Sequence, residues 1–188
     1  NIIDIASKFL NTKDILLTQS DAWSKIGTDI KSIQSNQDQR MHMDYGNHTF
    51  LHPPSFDNPE AIAMIIYLSD TEITGGGTSY VSKTYKTDKL YKQPYINMPG
   101  QSIYKFYNDK ETAEKYFKNI NKKIFNFREK LYKNEIIIKA KPGDILVYRL
   151  DLWHRGTPVK KNKIRHVMNL LYKKKECFWI NQWNPGWT

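Results

Sequence analysis

The stretch RMHMDYGNH, residues 40–48, sets His42 and Asp44 two residues apart. On an extended strand, side chains two apart project from the same face, so an imidazole and a carboxylate would be aimed at one point. A second imidazole, His154, follows the apolar run DILVYRL in DLWHRGTP. Two histidines and a carboxylate from separate strands are the donor set of the facial triad that holds non-haem Fe(II). Such a triad leaves open positions for a chelating 2-oxo acid and for dioxygen. If the 2-oxo acid is dicarboxylic, its far carboxylate needs a cation, and a guanidinium matches that geometry better than an ammonium. Arg165, at the head of RHVMNLLY, is the candidate. An isolated H-x-D pair is weak evidence, and a buried His–Asp hydrogen bond that only orients a core imidazole is the competing reading.

Positioning three ligands and an arginine calls for several short strands, and the sequence supplies them. RMHMDY alternates in character, and AIAMIIYLS (61–69) is a nearly continuous apolar run of strand length that ends in Asp70 and the turn GGG at 75–77. TSYVSK, EIIIKA (135–140), DILVYRL after the turn KPGD, and RHVMNLLY (165–172) read as further strands. In the last of these, Arg165, Val167, Asn169 and Leu171 share one side, with His166 turned the other way as a structural residue. Two stretches read as helices. SDAWSKIGTDIKSI (20–33) opens with capping residues and sets Trp23, Ile26, Ile30 and Ile33 at helical spacing. Residues 109–132 carry Ala113, Tyr116, Phe117, Ile120, Ile124, Phe127 and Leu131 on one stripe. Many short strands divided by Gly/Pro turns, with helices flanking them, predict a mainly β fold: a β-sandwich or jelly roll with helical support.

Composition narrows the partners. The 188 residues suit one domain over 1–188 with a sizeable core. Hydrophobic residues at 39% and aromatics at 13% exclude a disordered chain. No apolar run reaches the roughly 20 residues of a membrane span. A lone Cys177 excludes an internal disulfide and points to a reducing compartment such as the cytoplasm. The net charge of +10 favours anionic partners or simply a soluble lysine-rich surface. No nucleic-acid-binding motif accompanies it, so nucleic acid is not the expected partner. Oligomeric state is not legible.

The order of these features, from H-x-D through the apolar strand, the Gly-rich turn and the PGD strand to His and Arg, resembles the phytanoyl-CoA dioxygenase family of Fe(II)/2-oxoglutarate oxygenases. The likeness runs from about Arg40 to Tyr172 and rests on MHMD, AMIIYLSDTEITGGGTSYV, KPGDILVYRLDLWHRGTP and IRHVMNLLY. It implies a cupin-like double-stranded β-helix, and hydroxylation of a small organic substrate coupled to decarboxylation of 2-oxoglutarate. It further implies His42, Asp44 and His154 as iron ligands and Arg165 as partner of the distal carboxylate. Tyr67 falls where the family sets an aromatic beside the cosubstrate. Gly156 stands where a small hydroxyl residue is usual, leaving the neighbouring Thr157 as a substitute, and VSKTYK replaces the usual PGSH, which changes the substrate-facing chemistry.

Other residues invite a role. His48 and His52 read as loop histidines that line an entrance or are merely solvated. Arg40 either faces the cavity and grips an anionic substrate or forms a surface ion pair. The tail FWINQWNPGW is a candidate clamp across the sheet, and the lysine- and tyrosine-rich segment 83–107 reads as a lid for an anionic, planar or apolar small molecule or as an ordinary basic loop. A peptidyl or nucleic-acid oxygenase of the same superfamily and a catalytically silent jelly-roll binding module are the alternatives.

Overall fold

A computed structural model describes residues 1–28, 36–44, 59–83, 89–91 and 108–177. Among the described residues, seven strands form two antiparallel sheets. The first has the order β1-β7-β2-β5, built from β1 (Ile15–Ile26), β2 (Ala61–Tyr67), β5 (Ile145–Arg149) and β7 (Ile164–Lys174). The second has the order β4-β3-β6, from β3 (Thr78–Val81), β4 (Glu135–Ile137) and β6 (His154–Gly156). The helices are α1 (Ile2–Leu10), the single turn α2 (Thr71–Thr74), α3 (Lys110–Ile120) and α4 (Lys122–Lys133). None of the described helices is long and apolar enough to cross a membrane.

Period-2 patterning divides the first sheet cleanly. Ile62, Met64, Leu170 and Tyr172 face outward and pack under Ala6 and Leu10 of α1. Ala61, Ala63 and Leu171, and further along Tyr67 and Val167, face the space between the sheets. Arg165 is two residues before Val167 and shares that inner side, whereas His166 is exposed and meets Ser24 through its Nδ1. The same alternation operates in the second sheet. Met41 and Met43 are buried outward against Leu131 and Trp153, beneath α4. His42 and Asp44, between and beyond them, therefore turn inward.

Residues 20–26, expected as the start of a helix, belong to β1. They pair with β7 in continuous register from Gln19↔Leu171 to Ile26↔Ile164. Residues 29–33 of that expected helix lie outside the described residues. The apparent helical stripe is accidental, since Trp23 and Ile26 remain 51% and 46% exposed. Hydrogen bonding to a long neighbouring strand overrides a weak local helix preference.

The helix expected over 109–132 is two helices. Asn121 breaks it with extended backbone (φ −159°, ψ 99°) and caps α4 through its side chain, which accepts from Lys123 N and Ile124 N. Asparagine competes for backbone groups in this way and so favours caps over helix interiors. The stripe fails at the break, where Ile120 is 45% exposed.

Candidate metal centre

His42 and His154 are brought together by backbone pairing. His42 N donates to His154 O at 2.9 Å and His154 N donates to His42 O at 2.8 Å. This mutual exchange makes them a directly opposed antiparallel pair, whose side chains share a face. Their ring centroids are 4.4 Å apart. Asp44 follows on the same side, anchored by its N–H to Leu150 O at 2.9 Å. Asp44 Oδ1 lies 3.7 Å from His42 Nε2, and its Oδ2 lies 3.4 Å from His154 Nε2. One donor atom from each residue falls within 4.8 Å of the others, and all three residues are buried.

The hydrogen bonds select the tautomers. His42 Nδ1 is 2.9 Å from Arg40 O, and His154 Nδ1 is 2.9 Å from Leu152 O. A carbonyl oxygen only accepts, so each Nδ1 carries a hydrogen and each ring turns its Nε2 toward Asp44. Burial, reinforced by the neighbouring His154, drives the His42 pKa down to about 3, which keeps its ring neutral. Donors around one ion at bonds of about 2.1 Å stand roughly 3 Å apart in neighbouring positions. The two contacts of Asp44, at 3.7 and 3.4 Å, lie near that spacing, and an imidazole and carboxylate set suits a divalent transition metal.

Sequence reasoning overlooked Tyr148. Its hydroxyl donates to Asp44 Oδ2 at 3.1 Å, and its ring lies 4.9 Å from that of His154. Burial, with the Asp44 charge next, raises its pKa well above the ordinary value, so it stays a donor. The inward parity of DILVYRL, in which Leu146, Tyr148 and Leu150 share a side, was the available signal.

Arg165 is 9% exposed. Its Nη1 donates to Gly76 O at 2.9 Å, while its Nε has no hydrogen-bond partner. Burial lowers its pKa. The Gly-rich turn makes room for it: a Cβ on Gly76, which has φ +75°, would sit 3.1 Å from Arg165 Cδ and 2.7 Å from Val159 Cγ2. A buried guanidinium with an unused donor is the kind of group an incoming carboxylate satisfies. Tyr67, fully buried, donates its hydroxyl to Thr78 Oγ1 at 2.8 Å and accepts from Thr78 N at 3.2 Å. The Thr157 hydroxyl donates to Gly77 O at 2.7 Å. Lys25, also missed in the sequence, stands opposite Arg165 in register and donates to Thr157 O at 2.8 Å.

Arg40 is buried and not at the surface; burial first, then the nearby Arg128, lowers its pKa to about 10. Lys83, expected in the lid, donates to the buried Asp151 at 2.7 Å and stacks over Tyr91. Its charge is thus already matched within the protein. His48, His52, the Trp-rich tail and most of the lid lie outside the described residues.

Two antiparallel sheets with inward-facing polar residues and helices outside make this a jelly roll of the cupin-like, double-stranded β-helix class. No family model matches the chain, and no curated protein matches it. Solved structures share the fold. The non-heme alpha ketoglutarate dependent carbocyclase SnoK from nogalamycin biosynthesis superposes with a TM-score of 0.60 at 12% identity, over 93% of this chain and 55% of that one. EvdO2 from Micromonospora carbonacea var. aurantiaca, complexed with 2-oxoglutarate, gives 0.55 at 11% identity, over 96% and 64%. The epimerase SnoN, in complex with Fe3+, alpha ketoglutarate and nogalamycin RO, gives 0.55 at 12% identity, over 92% and 55%. The chain thus spans between 55% and 64% of the length of these three proteins.

Proposed function

We propose that residues 1–188 form one Fe(II)- and 2-oxoglutarate-dependent oxygenase domain that oxidises a small organic substrate, with succinate and CO2 as the cosubstrate's products. The observation that carries this reading is the convergence of His42 Nε2, Asp44 and His154 Nε2 in a buried cluster whose two imidazoles each donate Nδ1–H to a backbone carbonyl. Arg165 supports it as a buried cation with an unused donor. The SnoK, EvdO2 and SnoN structures support it through the fold.

In this reading His42, Asp44 and His154 hold the iron, which when bound supplies the redox chemistry linking 2-oxoglutarate decarboxylation to substrate oxidation. The chain's own contributions are geometric and electrostatic. The Arg40 and Leu152 carbonyls hold the two imidazoles in the orientation that presents Nε2. Tyr148 donates to Asp44 and steadies the carboxylate. Arg165 neutralises the distal carboxylate of 2-oxoglutarate. Tyr67 and Thr78 wall the pocket beside it, and Thr157 ties the Gly77 peptide in place. Val167, Ala63 and Leu171 keep the inner face apolar and limit water around the reacting groups.

Hydroxylation by a phytanoyl-CoA dioxygenase-like enzyme is the finer reading, drawn from the motif order. The substrate is a small molecule, with an anionic group suggested by the basic surface. The test is anaerobic loading with Fe(II) and 2-oxoglutarate, addition of O2 with a metabolite pool, and quantitation of succinate beside mass spectrometry of the pool. Succinate that requires both iron and 2-oxoglutarate, with one oxygen gained by a metabolite, is expected. Absence of iron- and 2-oxoglutarate-dependent succinate refutes the reading.

A further inference from the structure

The segment carrying His42 is an incomplete strand. On one side its backbone is well paired: Gln39 N donates to Gly156 O at 3.0 Å, and His42 exchanges both bonds with His154. The peptide groups of Met41 point the opposite way from those of His42, and Arg40 N likewise turns away from β6 to donate to Asn108 O at 2.8 Å, because one extra residue separates the two paired positions Gln39 and His42. In a longer sheet another strand would receive them.

Here two side chains do so. Met41 N donates to Tyr132 Oη at 3.0 Å, and Arg128 Nη2 donates to Met41 O at 3.0 Å. Tyr132 and Arg128 lie one turn apart on α4, so they present an acceptor and a donor at strand-like spacing. Glu114 on α3 locks the pair. Arg128 Nε donates to both its oxygens, at 2.7 and 2.9 Å, and Tyr132 Oη donates to Oε1 at 2.7 Å. Arg128 is 1% exposed and Glu114 8%. Burial works against the Arg128 charge, but the Glu114 hydrogen bonds outweigh it and raise its pKa.

Taking an ion pair out of water is expensive, and apolar side chains of the same size dock helices as well or better. Apolar groups cannot satisfy the N–H and C=O of Met41, which are costly to leave unpaired when buried. Recognition of this one peptide is what the charged pair adds. Met41 immediately precedes His42, so fixing its backbone fixes the direction from which His42 and then Asp44 enter the cleft.

We propose that Glu114, Arg128 and Tyr132 form a clamp on the Met41 peptide that positions His42 and Asp44 for metal binding, although none of the three touches the cleft. The inference rests on His42, Asp44 and His154 being the metal ligands. They are positioning residues, held on a two-helix insertion that closes the outer side of the metal-bearing segment.

The test uses the full chain, made metal-free, with Co(II) as an oxygen-stable spectroscopic probe. Tyr132→Phe deletes one hydroxyl and keeps the ring; Arg128→Lys keeps the charge beside Glu114 but loses the fork. Both are expected to weaken Co(II) affinity by roughly 10- to 100-fold, as loss of groups behind metal ligands does. Both should also shift the Co(II) visible spectrum and speed amide exchange at Met41 and His42. Leu10→Ala, which destabilises the fold from beneath α1, should leave affinity and spectrum unchanged. Parent-like Co(II) affinity and spectrum in Tyr132→Phe, with Asp44→Ala abolishing binding, overturns the clamp alone. Co(II) binding that survives Asp44→Ala overturns the metal assignment and the clamp with it.

Discussion

Lys25 and Arg165 stand directly opposite each other on β1 and β7, both facing inward and only 8% and 9% exposed. Like charges facing each other across a strand pair are unfavourable. Burial first, then Arg165, lowers the Lys25 pKa to about 8; Asp38 opposes the shift and Arg155 adds to it. The unfolded chain therefore holds the extra proton between about 8 and the ordinary 10.5, and this group makes folding more favourable as pH rises through that window. A carboxylate bound beside Arg165 would push the Lys25 pKa back up. Binding of 2-oxoglutarate near pH 8 should then draw in protons, seen as a binding heat that varies with the buffer's ionisation enthalpy. A buffer-independent heat at that pH counts against anion binding at this pair.

Asp44 supplies the only negative charge among the three converging groups. Asp44→Ala should abolish stoichiometric Fe(II) binding and 2-oxoglutarate decarboxylation. It should leave the far-ultraviolet circular dichroism intact, because the carboxylate faces the cleft and not the apolar clusters. Equilibrium dialysis against Fe(II) under anaerobic conditions, beside a succinate assay, decides the matter; normal decarboxylation in the variant would overturn the assignment.

Arg165→Ala separates cosubstrate from metal. Losing the partner of a buried carboxylate costs about 2–5 kcal/mol, so the apparent affinity for 2-oxoglutarate should fall at least about thirtyfold. Fe(II) affinity should stay within a few-fold of the parent. Parallel loss of both would instead assign Arg165 to supporting the strands that carry His42, Asp44 and His154.

Tyr148→Phe removes a single hydrogen bond to Asp44 Oδ2 and keeps the ring beside His154. Loss of a group that orients a ligand typically weakens metal binding by 10- to 100-fold. The same titration in the parent and the variant measures it, and an unchanged dissociation constant would show that Asp44 needs no such support.

Lys83 is matched by Asp151, which Arg149 also grips, at 2.8 Å. Lys83→Ala should lower thermal stability modestly, by about 1 kcal/mol or less since Arg149 remains. It should not alter the salt dependence of turnover. A selective rise in KM for an anionic substrate with unchanged stability would return Lys83 to a substrate-gripping role.

What was legible in the sequence followed from local alternation. In MHMD the two methionines and the two polar residues had to face opposite ways, and in IRHVMNLLY Arg165 had to share a side with Val167 and Leu171. Wherever those segments pair, the period of two carries His42, Asp44 and Arg165 to one face each. Tertiary structure decided what lay opposite them. SDAWSKI became strand because β7 offered hydrogen bonds along its whole length, a partner about 140 residues away in sequence. Asn121 broke a continuous apolar stripe because its side chain could cap a second helix that α3 then braced. Parity alone could have turned Tyr148 inward, but Lys25 and the Glu114–Arg128–Tyr132 group carry no motif at all. Their roles arise from distances to atoms far along the chain, and a spacing rule that sees only neighbours has no access to them.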